Sequence, residues 1–122
     1  MKALKILIPI IAVFVVSLSA KAQTTYPLTV INNTPYVSSA DFVFSCGTTF
    51  VSCSPYSSNS GTSCSGTFDN VTVLITDATC TVPTDYSVTL TTTNNSDTYT
   101  DCNGNPRTFN LSSGSTYEVT ID

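Results

Sequence analysis

Short stretches in which apolar and polar residues alternate recur along this chain from Tyr26 to its end. A period of two puts successive side chains on opposite faces of a β-strand, so each stretch predicts a strand with one buried face. Clusters of Asn, Gly, Ser, Asp and Pro separate the stretches and favour turns. We therefore expect an all-β fold, an antiparallel two-sheet β-sandwich of about seven or eight strands, with a small β-barrel as the alternative. The inward residues predicted for three of these strands are Val71, Val73 and Ile75; Tyr86, Val88 and Leu90; and Tyr117, Val119 and Ile121.

The first 22 residues predict a signal peptide. Lys2 and Lys5 precede an apolar run from Ile6 to Leu18, and residues 20–22 (Ala-Lys-Ala) have the small-x-small pattern of a cleavage site. The run is shorter than a comfortable membrane span. We therefore expect residues 1–22 to be removed and residues 23–122 to form a single secreted domain. Its expected location is extracellular, with the periplasm as the alternative.

The mature chain would be strongly acidic. It keeps all eight acidic residues and one basic residue, Arg107, which gives a net charge of −7. Such a surface repels nucleic-acid phosphates and anionic lipid headgroups. No later segment has the length of a membrane span. We expect that the mature chain does not bind nucleic acid and does not insert into a membrane. The expected partner is an extracellular protein or glycan.

The mature chain contains an odd number of cysteines, which in an exported chain predicts disulfides and one cysteine left over. The pairing that we favour joins Cys53 to Cys64 around a serine-rich segment and Cys80 to Cys102 near strand ends. It leaves Cys46 as the odd thiol, buried beside aromatic residues. The alternative pairs Cys46 with Cys53 and leaves Cys64 exposed. An odd cysteine also leaves open a covalent dimer.

No cofactor or metal site is expected. The chain has no His and no C-x-x-C spacing, so a zinc site or a thioredoxin-like motif has no support. Residues 101–105 resemble the start of a calcium-binding loop, but Pro106 replaces its glycine and Ser112 its bidentate Glu. Turn formation explains these residues better.

The sequence Asn103-Gly104 predicts a two-residue type I′ hairpin turn, because both of its central residues need positive φ. In that register Thr98 would face Phe109, and Cys102 would point into the core.

Residues 54–66 lack apolar periodicity and predict a surface loop. Tyr surrounded by Ser, Asn and Gly is typical of binding loops, so Pro55, Tyr56 and Asn59 are candidate binding residues within residues 54–63.

The expected function is non-catalytic: extracellular binding, or a structural role at a surface or in a matrix. The first alternative is a small secreted hydrolase or lyase that uses carboxylates, and the second is an inhibitor or toxin that presents residues 54–63. Catalytic triads are excluded because they need His. Most of the carboxylates that remain available lie beside predicted turns, and we expect them to be exposed; the available ones are Asp41, Asp69, Asp77, Asp85 and Asp101.

Overall fold

The computed structural model describes residues 24–122, and the predicted signal peptide lies outside this range. Within it the chain forms nine β-strands and no helix, which confirms the predicted all-β class but exceeds the seven or eight strands expected. No helix in these residues is long and apolar enough to cross a membrane. The strands are β1 (Pro27–Asn32), β2 (Val37–Phe44), β3 (Gly47–Cys53), β4 (Ser57–Thr62), β5 (Phe68–Asp77), β6 (Thr84–Leu90), β7 (Ser96–Thr100), β8 (Pro106–Ser113) and β9 (Tyr117–Ile121).

The strands form two sheets. One has the order β4-β1-β9-β8-β7, and the other has the order β3-β2-β5-β6. Six of the seven ladders are antiparallel, whereas β1 and β9 pair in parallel, with Val30 beside Val119. This parallel pair departs from the expected antiparallel arrangement. It joins the first and last strands, so the whole domain serves as the long connection that parallel strands need.

Both sheets contribute to one hydrophobic core. The inward residues of β5 are fully buried, as their alternation with polar residues predicts. Aromatic residues extend the core at both ends: Phe44, Phe68 and Tyr117 contact one another at one end, and Tyr99 stacks on Phe109 at the other. The buried apolar residues are Leu28, Val30, Tyr36, Ala40, Phe42, Phe44, Val51, Cys53, Val71, Val73, Ile75, Leu90, Phe109, Leu111, Val119 and Ile121.

Two local predictions are wrong. Residues 57–62, expected in a loop, form edge strand β4, which pairs with β1. The hairpin register is also wrong, because β7 and β8 pair Thr98 with Thr108 and leave residues 101–105 as the connection. Positive φ occurs at Gly104 (81°) but not at Asn103, so the turn is not type I′. A one-residue slip exchanges the two faces of a strand, so Asp101 is buried while Cys102 is exposed.

A buried polar turn after β1 anchors two neighbouring segments. The Asn32 side-chain amide donates hydrogen bonds to the carbonyls of Tyr36 (2.6 Å) and Ser54 (3.2 Å). Its side-chain oxygen accepts from the Thr34 backbone N–H (3.0 Å) and hydroxyl (2.6 Å). The Tyr56 N–H in turn donates to the Thr34 carbonyl (3.1 Å). Every polar atom of the Asn32 side chain is thereby used, and the positions of Tyr36 and Tyr56 are tied to the core.

Candidate functional site

The structure contains two disulfides and one free cysteine within the described residues. Cys80 is joined to Cys102, the pair that we favoured from the sequence, with their Cα atoms 5.3 Å apart. The expected Cys53–Cys64 bridge is replaced by Cys46–Cys64, which joins two turns at the opposite end of the sheets. Cys46 is therefore not the odd thiol and offers no thiol for a covalent dimer. The free cysteine is Cys53, which is buried at the end of β3.

Asp101 is a buried carboxylate that lies at the centre of a hydrogen-bond network. It is 4% exposed and accepts from the Tyr36 hydroxyl (2.7 Å) and from Arg107 Nε (3.1 Å). The backbone N–H groups of Asn103 (2.9 Å) and Asn105 (2.8 Å) complete its main contacts. The expectation of an exposed turn carboxylate is wrong here, because the shifted hairpin register turns Asp101 inward.

Asp77, at the end of β5, is also buried rather than exposed on a turn. Its carboxylate accepts from the backbone N–H (2.9 Å) and hydroxyl (2.6 Å) of Thr79. It also accepts from the Cys102 N–H (3.1 Å), so the connection that carries Asp101 is held against Asp77. We call Tyr36, Asp77, Asp101 and Arg107 the Asp101 network.

Hydrogen bonding keeps both carboxylates of this network ionised. Burial alone would raise the pKa of Asp101, but the hydrogen bonds from Tyr36, Asn105 and Arg107 outweigh it and hold the pKa well below its ordinary value. Burial likewise opposes ionisation of Asp77, and the bonds from Thr79 and Cys102 lower its pKa. Proton donation at neutral pH needs a raised pKa, so these groups are suited to holding structure rather than to acid catalysis.

Asp77, Cys80 and Cys102 offer donor atoms that lie within 4.8 Å of one another, a spacing that metal ligands show. The two sulfur atoms are bonded to each other, however, and a thiolate is the form that binds metal. The cluster is therefore a disulfide beside a carboxylate, not a metal centre.

A shallow groove lies where β3 ends and β4 begins. Its volume is about 250 Å³. Ser57 donates to the Ser54 carbonyl (2.7 Å) within the turn, and Asn59 of β4 donates to the Ser52 carbonyl of β3 (2.7 Å), which joins the two edge strands. The Cys53 sulfur donates to the Ser57 carbonyl (3.2 Å). The lining residues are Val37, Ser52, Cys53, Ser54, Ser57, Ser58 and Asn59, none of which is charged.

Tyr56 lies in the turn between Ser54 and Ser57 of this groove and has an unusual backbone conformation. Its φ is +51°, and it is the one non-glycine residue with positive φ in residues 24–122. Gly and Asn adopt this left-handed region readily, whereas a bulky side chain does so at a cost of about 1–3 kcal/mol. The side chain is 71% exposed, so packing in the core does not offset this cost. Strain of this kind is concentrated at ligand-binding sites.

The structure brings together only some of the binding residues that we predicted from the sequence. Asn59 lines the groove, while Pro55 and Tyr56 lie on the adjoining turn. Ser58 also lines the groove and lies within the predicted binding segment, residues 54–63. Val37 and Ser52 lie outside that segment and were not predicted, because the groove forms between β3 and β4 and the sequence did not identify β4 as a strand. No apolar alternation marks β4, whose sequence is Ser-Ser-Asn-Ser-Gly-Thr.

Apart from one partly exposed arginine, the charged surface of residues 24–122 is anionic. Arg107, the single cation in this range, is paired with Asp101 and has a 17% exposed side chain. The remaining acidic residues lie outside the Asp101 network, dispersed over strands and termini; they are Asp41, Asp69, Asp85, Asp97, Glu118 and Asp122.

The chain matches no protein-family model, and comparison with curated proteins and with solved structures finds no match.

Proposed function

We propose that this chain is a secreted, non-catalytic β-sandwich domain that binds an extracellular ligand at the shallow groove between β3 and β4. We call it the Tyr56 groove, because Tyr56 lies on the turn beside it. The observation that carries the proposal is Tyr56 itself, a large exposed aromatic side chain at φ +51° beside a concave, uncharged surface. Glycine or asparagine would form the turn with less strain, so the tyrosine ring is better explained by contact with a ligand.

Disulfides and net charge support the extracellular part of this proposal. Two disulfides are typical of proteins that work in an oxidising compartment. The acidic mature chain also matches a soluble exported domain.

Carboxylate-based catalysis has weaker support. A glycosidase-type mechanism needs one carboxyl group with a raised pKa as its acid. Asp77 and Asp101 have lowered pKa values and are occupied by internal donors. The inhibitor or toxin alternative would use the same surface as the proposed binding site, so one set of variants tests both.

The test compares Tyr56→Asn with Tyr56→Phe and with Val82→Asn. Val82 is an exposed apolar residue outside the groove and serves as the matched control. Co-sedimentation of each purified variant with envelope and matrix material from the secreting cells measures binding. We expect Tyr56→Asn to weaken binding at least about tenfold, and the other two variants to bind as the unchanged protein does.

Misfolding cannot account for that loss, because asparagine suits the left-handed conformation. Thermal unfolding should show Tyr56→Asn to be at least as stable as the parent. If Tyr56→Asn binds as strongly as the unchanged protein, the Tyr56 groove is not the binding site.

A further inference from the structure

We infer that the ligand of the Tyr56 groove is a neutral carbohydrate, with a sugar ring against the Tyr56 side chain and its hydroxyls bonded to the serines of the groove. This inference rests on the proposed function and names the class of ligand.

Unused hydroxyl groups are the first observation. The hydroxyls of Ser52, Ser54 and Ser58 make no hydrogen bond to other residues in the range 24–122, although all three residues line the groove. Each hydroxyl can donate one hydrogen bond and accept two. Sugar hydroxyls have the same double capacity, so a sugar can pair with these groups in either direction.

The charge of the site is the second observation. No charged residue lines the groove, and no free cation lies elsewhere in the described residues. An anionic ligand would find no counter-charge and would be repelled by the exposed carboxylates around the molecule. A cationic ligand would find no carboxylate within the groove to fix its position. An uncharged ligand needs neither a cation to balance its charge nor a carboxylate within the groove.

The apolar contacts are limited, which favours a sugar over a protein partner. Tyr56 and Val37 (60% exposed) are the exposed apolar side chains at or beside the groove. A stable protein interface buries about 800 Å² on each partner and centres on several buried anchors. A single aromatic ring beside a groove of about 250 Å³ fits one ring-sized group.

The experiment uses the co-sedimentation assay on matrix material treated in two ways. Periodate cleaves vicinal diols and destroys sugar rings, whereas a broad protease removes protein partners. We expect Tyr56-dependent binding to survive protease and to fall at least about tenfold after periodate. We also expect the double variant Ser54→Ala with Ser58→Ala to bind several-fold more weakly, with the Val82→Asn control unchanged.

A second measurement uses defined probes. Electrophoresis through gels that contain galactomannan, xyloglucan or mixed-linkage β-glucan should show retardation by a neutral polysaccharide, abolished by Tyr56→Asn. A gel with polygalacturonate provides the anionic comparison and should give no retardation.

The outcomes separate the two proposals. Tyr56-dependent binding that is lost to protease and survives periodate would overturn the carbohydrate inference and leave the binding function standing. Binding that does not depend on Tyr56 would overturn both proposals.

Discussion

The side chain of Asp101 is held in the core by residues outside its own turn, Tyr36 and Arg107. The sequence Asp101-Cys102-Asn103-Gly104-Asn105 is rich in turn formers, so an exposed carboxylate was the simplest expectation. The decisive contacts are with Tyr36, which is 65 residues away in sequence, and with Arg107 across the connection. Neither contact leaves a local pattern in the sequence, and a register error of one residue was enough to reverse the prediction.

Cys53 supplies a prediction at the same scale. Its side chain is 3% exposed, and its sulfur donates to the Ser57 carbonyl. A reagent therefore reaches the thiol only when the Tyr56 groove opens between β3 and β4. We expect iodoacetamide to add no label to the native protein and one label after denaturation without reductant. Intact mass measures both states.

Cys53→Ala is the control for that labelling and should take up no label in either state. Labelling of the native protein would show that the floor of the groove opens readily. The Cys53 thiol would then be accessible in the native protein and able to form a disulfide with a partner.

Strands were predictable from the sequence where buried apolar residues alternate with exposed polar ones. In β5 Val71, Val73 and Ile75 occupy alternate positions and are fully buried, and this sequence pattern identifies both the strand and its inward face. In β4 the partner is β1 alone, and Ser and Asn side chains replace apolar packing. An edge strand of this composition resembles a loop in sequence, which is why the Tyr56 groove could not be predicted from the sequence.

The two disulfides close loops of similar length but hold different parts of the structure, so their contributions to stability can be compared. Their sequence separations are 18 and 22 residues, and the chain-entropy model assigns about 3 kcal/mol to each. The Cys80–Cys102 bridge also holds the Cys102 N–H against Asp77 and supports the connection that carries Asp101. We therefore expect the Cys80→Ser/Cys102→Ser protein to lose at least about 1 kcal/mol more unfolding free energy than the Cys46→Ser/Cys64→Ser protein.

Urea denaturation of the two double variants measures this difference, and the similar loop lengths make each variant the control for the other. Reduction of the unchanged protein with dithiothreitol, followed by alkylation, should reproduce the sum of the two losses. Equal losses would show that hydrogen bonds hold residues 101–105 in place without the covalent link.

For the whole molecule, acid has two opposing effects on stability. The exposed carboxylates repel one another because no free cation in residues 24–122 balances them, and protonation relieves this repulsion. The Asp101 network acts in the opposite direction. A carboxylate with a lowered folded-state pKa contributes stability that is present above its unfolded pKa and lost as the pH falls through its folded pKa. The total stability curve combines both effects and does not by itself reveal the network.

A difference measurement isolates the buried network from the surface. Asp101→Asn removes the carboxylate that accepts from Tyr36 and Arg107, while Asp85→Asn removes an exposed one and serves as the control. Because the folded-state pKa of Asp101 lies well below its ordinary value of 3.8, its contribution is fully present at neutral pH and shrinks progressively below about pH 4. Urea denaturation from pH 7 to pH 2 should therefore show the parent well above Asp101→Asn at neutral pH, with the two curves converging in acid. The Asp85→Asn curve should stay close to the parent throughout. If the difference in unfolding free energy between the parent and Asp101→Asn stays constant from pH 7 to pH 2, the contribution of Asp101 does not depend on its charge.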